Sequence, residues 1–350
     1  MKNKIIIIIG MFSILSASEI TKYVDNVIVS YDNRIMALTS YANKTQTISL
    51  WDINNTSLKM IKKFNFDDGI SFSNNMVFSH DNRYLAMGVN DYTYIWDTKT
   101  KVLFQKILNP YEVSAVEFSH DDKHLVIGSA NNEMNILTFD KKFKFNKQIE
   151  GEKLGFLEKI FSRARYGTTV QSISYSNNDR YIVASFENSN TKIYDVQQNY
   201  KIVKEFTNKE ENYIYDIHFT KDGKNFFVSK NDVEIEIFDA YPPFKKIKTV
   251  PKKAEEEIYA TILSNTNRYY LTSWDYSGYI KVWDIKNNFK NITTLDGHEN
   301  YTTSVQFYNN DKYIISAGGD DTVKIWEVGT WKEVVNIFLD EKHNFNIVTY

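Results

Sequence analysis

The chain has 350 residues, of which 42% are hydrophobic and 15% aromatic, with four prolines, thirteen glycines and no cysteine. That composition supports a large packed core and excludes a disordered chain, a disulfide framework and thiolate chemistry. A formal net charge of −2 lacks the basic excess with which proteins neutralise a phosphate backbone, so nucleic acid is not an expected partner.

The chain opens Met1-Lys2-Asn3-Lys4, continues with an apolar run from Ile5 to Leu15 and reaches Ser16-Ala17-Ser18 before Glu19. A basic start, an apolar core and a small-residue exit predict a signal peptide over residues 1–18. The run is too short for the roughly 20 residues that cross a bilayer as a helix, and no cysteine follows it for lipid attachment. The expectation is a mature protein of residues 19–350, exported without stable membrane insertion. Abundant Asn, Lys, Ile and Tyr with little Ala suggests an AT-rich bacterial genome, and hence a periplasmic or secreted location.

From there a repeat runs to the end of the chain. Trp51-Asp52, Trp96-Asp97, Phe139-Asp140, Tyr194-Asp195, Phe238-Asp239, Trp283-Asp284 and Trp326-Glu327 each put an aromatic before an acid at the end of a β-prone run. Subtracting successive acid positions gives intervals of 45, 43, 55, 44, 45 and 43. Upstream of each pair lies a turn rich in Asp and Asn, such as Phe78-Ser-His-Asp-Asn-Arg83 or Phe219-Thr-Lys-Asp-Gly-Lys224. These residues bond their own backbone and tolerate left-handed conformations. Short apolar strands follow, such as Tyr84-Leu-Ala-Met87 and Tyr181-Ile-Val-Ala184. A period of about 44 with short strands and turn signals predicts four strands per unit.

The long interval holds an insertion at about 141–169. Within it Gly151 to Arg165 reads as a short amphipathic helix with Leu154, Leu157, Ile160, Phe161 and Ala164 on one stripe. Residues 141–169 carry eight Lys or Arg against three Glu. If the stripe packs on the protein, Lys159, Arg163 and Arg165 project outward, either as a plain rim or as a docking element for an acidic partner. Further on, Trp274-Asp275-Tyr276-Ser277-Gly278-Tyr279 is longer than the equivalent loops and more aromatic, which suits an interface or blade packing.

The last repeat carries Gly297-His298, then Ser316-Ala-Gly-Gly-Asp320-Asp-Thr-Val-Lys-Ile-Trp326-Glu327. With the spacing above, this resembles the WD-repeat family over nearly the whole mature chain. The resemblance implies one all-β domain, a seven-bladed β-propeller of four-stranded antiparallel blades, here with one short helical insertion. It also implies that His298, Ser316, Asp320 and Trp326 form a buried hydrogen-bond network, which the other six repeats depart from because none has a Gly-His pair. In the family, loops leading from an outer strand to the next inner strand open on the face most used for binding. That places Trp274, Asp275, Tyr276, Tyr279, Lys159, Arg163 and Arg165 as partner-binding residues. The tail Phe345-Asn-Ile-Val-Thr-Tyr350 is β-prone and is a candidate for closing the ring.

Catalytic patterns are absent from the sequence. Six histidines are scattered, with His80 and His120 at equivalent turn positions where a solvated role is expected, and no metal spacing occurs. Adjacent acids such as Asp121-Asp122 and Asp320-Asp321 are expected to point apart. The sequence therefore predicts a monomeric periplasmic interaction scaffold for a protein partner, with no cofactor and no metal. An accessory or assembly role for an envelope or respiratory enzyme is one specialisation. The alternative is a propeller enzyme with an acid cluster at the channel mouth.

Overall fold

The computed structural model describes residues 22–42, 45–66, 72–150, 169–187, 190–206, 214–230, 233–251, 258–274, 277–340 and 345–349. They form seven antiparallel sheets in strict chain order, blades 1 to 7, spanning residues 22–66, 72–108, 113–149, 170–206, 214–251, 258–295 and 302–349. The innermost strands of neighbouring blades touch all the way round, and the first also touches the innermost strand of blade 7, so the ring closes. The expected seven-bladed propeller is observed. The helix expected at Gly151–Arg165 lies outside the described residues. The earlier part of that basic stretch, Lys142–Ile149, is simply the outer strand of blade 3.

Within a blade the four strands, a to d from the axis outward, have different burial because they meet different neighbours. Strand b is sandwiched on both sides, so Tyr84–Val89, Tyr181–Phe186 and Tyr313–Gly318 are buried at every residue and read as continuous apolar runs, not alternating ones. Strand d is an edge, so Lys201–Phe206 is largely exposed and carries Lys201 and Lys204. The core lies between blades: Ile28, Ala37, Ile48 and Leu50 of blade 1 pack with Met76, Phe78, Leu85 and Trp96 of blade 2.

Two irregularities recur at fixed places. Register slips in every a–b pair, as at Val24/Asn26 and Ile214/Asp216. It slips again in each c–d pair, beside the aromatic in six blades, as at Leu50/Trp51, Ile95/Trp96 and Ile325/Trp326, and at Ile136/Leu137 in blade 3, where Leu137 takes the place of the aromatic and Phe139 lies two residues further on. The extra residue belongs to strand d and is apolar at Ile61, Phe104 and Val334. Such a bulge strengthens local twist and lets the strand present one more apolar side chain next to the large ring.

The acid after the aromatic then ends the strand. Asp97 Oδ1 accepts the Thr100 N–H at 2.8 Å, and Asp195 Oδ1 accepts those of Gln197 and Gln198 at 3.0 and 3.2 Å. Their other oxygens accept from Arg83 Nε and Arg180 Nη2, both at 3.2 Å. These arginines lie over the rings of Tyr84 and Tyr181. One acid thus joins the c–d turn to the a–b turn.

The a–b turns do more than reverse the chain. Their fourth residue has a left-handed backbone in every blade: Asn33, Asn82, Asp122, Asp179, Gly223, Asn267 and Asp311, with φ between 53° and 66°. In six blades its side chain accepts a main-chain N–H from the preceding blade's turn: Asn82 from Asp32, Asp122 from His80 and Asp81, Asp179 from His120 and Asp121, Asn267 from Lys221, Asp311 from Asn265 and Thr266, and Asn33 from Asn309. Gly223 has no side chain to offer. There Asn177 of the preceding blade donates its amide to Thr220 O and Lys221 O instead. The result is an unbroken hydrogen-bonded ring on the face that also carries the c–d turns, here the lower face.

Closure between blades 7 and 1 involves no exchanged strand. Blade 1 supplies all four of its own strands, and blade 7 has five, because the tail Phe345–Thr349 pairs antiparallel outside strand d. The tail is thus not shared between blades as a closing strand, though Phe345 meets Trp51 of blade 1 edge-on at 5.0 Å. The seam is apolar, with Val24, Val27, Met36 and Trp51 against Ile315, Val323, Ile325 and Val335. Polar links flank it: Ser304 Oγ donates to Asn26 Oδ1 at 2.9 Å, Thr303 Oγ1 to Val24 O at 2.9 Å, and Lys22 pairs with Asp321 at 3.1 Å.

Candidate partner-binding surface

The blade 7 residues singled out from the sequence are brought together. His298 Nε2 lies 2.7 Å from Ser316 Oγ, which accepts the Trp326 Nε1–H at 3.0 Å. His298 Nδ1 lies 3.0 Å from both Asp320 Oδ1 and Thr322 Oγ1. Thr322 Oγ1 and the Glu299 N–H donate to Asp320 at 2.8 and 2.9 Å. These donors assign the proton to Nδ1, with the Ser316 hydroxyl donating to Nε2. Asp320 holds its charge against burial because His298, Glu299 N–H and Thr322 all favour the ionised form, and its carboxyl sits at about 2. Adjacent Asp321 turns away to Lys22. Blade 6 keeps half of the arrangement, Trp283 Nε1 donating to Thr272 Oγ1 at 2.9 Å, without a histidine.

Of the residues expected to bind a partner, Lys159, Arg163, Arg165, Asp275 and Tyr276 lie outside the described residues. Trp274 ends strand b of blade 6. Tyr279 is 40% exposed. Because a–b and c–d turns share the lower face, the b–c turns and the connections between blades share the other, upper face. The ends of the 151–168 connection, Ile149 and Val170, therefore open on the same face as Tyr279.

The structure adds a relation the sequence did not show. Gly278, beside Tyr279, has φ +65°, and a Cβ there would lie 2.2 Å from His298 O and 2.6 Å from Asn300 O. Its carbonyl accepts from Thr302 Oγ1 at 3.1 Å. Gly278 of blade 6 is therefore seated against the main chain of His298 to Asn300 in blade 7. Gly278→Ala is expected to lower folding stability by about 2 kcal/mol or more through left-handed strain and overpacking, read as a drop in thermal midpoint. An unchanged midpoint would show that the two loops are not in register.

From this seat a line of tyrosines continues across the seam. Tyr301 lies against Gly319, where an added Cβ would meet its ring at 2.6 Å. Tyr23 stacks on Tyr41 with centroids 5.3 Å apart. Burial raises the Tyr23 hydroxyl, with smaller contributions from Asp25, Tyr301 and Tyr41, so these groups share one neighbourhood. Tyr279, Tyr301, Tyr23 and Tyr41 form an arc over blades 6, 7 and 1. Each is at least partly exposed; Tyr23 and Tyr41 lie near strand ends, and Tyr279 and Tyr301 immediately precede strands.

On the lower face, His80 and His120 depart from the solvated role expected of them. His120 Nδ1 is 3.1 Å from Asp179 Oδ1, and His80 Nδ1 is 3.6 Å from Asp122 Oδ1. Their rings meet at 4.4 Å, and Tyr31 stacks on His80 at 4.3 Å. A cleft of about 500 Å³ at the same face of the seam is lined by Asp32, Arg34, Asp52, Asn55 and Tyr308 among others. On the inner strands, burial, with Asp216 and Asp179 adding, pushes the Glu117 carboxyl up to about 8. His218 Nε2 sits 3.0 Å from Asp216 Oδ2 and 3.0 Å from Thr261 O. Among the described residues no three His, Asp or Glu side chains converge to hold a metal ion, and no described helix is long and apolar enough to cross a membrane.

Residues 289–327 match the family model "WD domain, G-beta repeat". That stretch begins just before the outer strand of blade 6 and ends with strand c of blade 7. The chain is similar to the WD repeat-containing protein WDS homolog of Arabidopsis thaliana, 22% identical over 261 residues, 73% of this chain and 46% of that protein. It is also similar to Polyadenylation factor subunit 2 of Candida albicans, 26% identical over 145 residues, 41% of this chain and 25% of that protein. A third similarity is to human DDB1- and CUL4-associated factor 10, 26% identical over 120 residues, 34% of this chain and 21% of that protein. The alignments span less than half the length of these relatives. The chain is a seven-bladed β-propeller whose seventh blade carries a WD repeat.

Proposed function

We propose that this protein is a non-catalytic interaction scaffold that captures a protein partner on its upper face, through the arc Tyr279, Tyr301, Tyr23 and Tyr41. The observation that carries this reading is the arc itself. Tyrosines bury much area at low rotamer cost, and here rigid blades hold them in place before binding. Similarity to a protein named as a DDB1- and CUL4-associated factor supports association with other proteins as the mode of action. Lys159, Arg163 and Arg165 enter as an electrostatic supplement, since the connection that holds them leaves and returns on this face. The basic and apolar opening of the chain, with Ser16-Ala17-Ser18, supports action after export to the periplasm, where an accessory role for an envelope enzyme fits.

The test is capture of a partner from a periplasmic extract by the immobilised chain. Tyr279→Ala with Tyr41→Ala is expected to weaken capture by at least about tenfold, as truncation of two interface anchors does. Thermal stability should change little. Tyr31→Ala on the lower face should leave capture intact. If the double substitution captures as well as the native chain while Tyr31→Ala does not, the binding surface is the lower face.

A further inference from the structure

We propose that Asn54, at the tip of the c–d hairpin of blade 1, is an N-glycosylation site, loaded by an oligosaccharyltransferase after export. The inference rests on the export reading above. The acceptor pattern is Asn-x-Ser or Asn-x-Thr with x not proline, and it occurs at Asn43, Asn54, Asn55, Asn291 and Asn300. The structure separates them. Asn43 lies outside the described residues. Asn291 sits on the outer strand of blade 6 with its amide nitrogen buried. Asn300 is followed by Thr302, which is fully buried and donates to Gly278 O at 3.1 Å, so that hydroxyl is already committed. Asn55 is engaged through both ends of its amide: Oδ1 accepts from Asn309 Nδ2 at 2.8 Å, and Nδ2 donates to Asn54 Oδ1 at 3.3 Å. Asn54 keeps its own amide nitrogen free for reaction.

A departure of blade 1 from its sisters presents this residue. In blades 2, 4 and 7 the c–d ladder ends at the acid, as at Asp97↔Val102, Asp195↔Lys201 and Glu327↔Lys332. In blade 1 two further pairs, Ile53↔Leu58 and Asn54↔Ser57, follow Asp52↔Lys59, so the hairpin runs on past the acid. Side chains alternate along a strand. Asp52 and Asn54 therefore share the outward face, both exposed, while Ile53 turns in and is 4% exposed. Among the described residues no hydrogen bond or ion pair holds the Asp52 carboxylate, whereas Arg83 and Arg180 bind Asp97 and Asp195. Arg34, which stands where those arginines stand, approaches Asp32 instead, at 4.0 Å.

Asp52, Asn54 and Thr56 thus lie together at the tip, and of the five acceptor patterns only this one has an acid two residues upstream. Bacterial transferases of this class read that acid as well as the hydroxyl. In the transfer, Asn54 Nδ2 attacks the anomeric carbon of an oligosaccharide carried on a polyprenyl pyrophosphate. A carbon–nitrogen bond forms, the carbon–oxygen bond to the pyrophosphate breaks, the amide proton passes to a carboxylate of the transferase, and the polyprenyl pyrophosphate leaves. The adjoining cleft of about 500 Å³, lined by Asn54 with Asp32, Arg34 and Asn310, offers carboxylate, guanidinium and amide partners to the hydroxyls of the first sugars. A glycan here lies on the lower face and leaves the tyrosine arc open.

Mass spectrometry of the chain recovered from its own cells reads export and modification together. The expected result is a mature N-terminus near Glu19 and a glycan on the peptide that holds Asn54. Asn54→Gln and, separately, Thr56→Ala should each remove the glycan mass completely, and Asp52→Ala should leave most of the chain bare. The thermal midpoint of each unglycosylated variant should match that of the native chain stripped of its glycan, because none of these side chains is buried. A mature N-terminus with a bare Asn54 would overturn the site and leave export standing. Met1 retained on a bare chain would overturn both. A glycan mass that survives Asn54→Gln sits on another asparagine and would also overturn the assignment.

Discussion

Replacing Asp320 with alanine is expected to cost about 3 to 5 kcal/mol of folding stability, because it strands buried partners without a compensating contact. His298 has a fully buried side chain, and Asp320 Oδ1 is its Nδ1 acceptor. The same carboxylate holds the Glu299 N–H and the Thr322 hydroxyl. Its folded carboxyl sits at about 2, below the ordinary 3.8. A group depressed on folding stabilises at pH above its unfolded value, and that contribution fades as pH falls from near 4 toward 2. The shift corresponds to about 2 kcal/mol, fully present at neutral pH. The native chain should therefore lose stability over this acid window, and Asp320→Ala should lose less over the same window, as denaturant midpoints measured at pH 7, 4 and 2.5 would show. Asp321→Ala is a contrast: it removes a partly exposed pair with Lys22 at 3.1 Å, which is worth at most about 1 kcal/mol. Equal losses for the two would mean that His298 takes its order from packing alone.

Much of the fold was legible because the signals repeat. The seven aromatic-acid pairs mark the ends of strand c, and the turn clusters mark every a–b reversal, so blade number and strand order follow from spacing. The blade 7 residues were legible for the same reason, since His298, Ser316, Asp320 and Trp326 stand in one repeat. What escaped was whatever depends on a partner in another blade. Asp122, Asp179 and Asp311 suit a left-handed turn by their local chemistry alone, so nothing in the turn itself reveals that each side chain reaches a turn 41 to 59 residues away. His80 and His120 read as solvated for the same reason: the carboxylates that face them come from Asp122 and Asp179, next door around the ring. The tyrosine arc was seen only at Tyr279. Tyr23 and Tyr301 lie far apart in sequence and meet because closure brings blade 7 against blade 1. The tail was correctly read as β-prone, but a strand pattern does not say which edge it will join.

Asp311→Ala is expected to lower stability by about 2 to 4 kcal/mol and to show that the lower ring is an interblade fastening and not merely a set of good turns. The residue is buried, 6% exposed, with φ +63°. Its two carboxylate oxygens accept the Asn265 N–H at 2.9 Å, the Thr266 N–H at 2.7 Å and the Asn265 side-chain amide at 3.1 Å. Alanine removes all three hydrogen bonds and adds left-handed strain of about 1 kcal/mol. Asparagine keeps the turn preference and one acceptor oxygen, so Asp311→Asn should recover the strain and part of the bonding, for a net loss of about 1 kcal/mol. Asp311→Gly separates the two causes, because glycine relieves strain but accepts nothing. If the fastening matters, glycine stays close to alanine and asparagine stays close to the native chain, in denaturant midpoints measured side by side. Amide exchange supplies the local readout: Asn265 and Thr266 should lose protection in Asp311→Ala and Asp311→Gly, while the equivalent His80 and Asp81, held by Asp122, keep theirs. Glycine matching the native chain in both measurements would reduce the seven-fold ring to turn propensity alone.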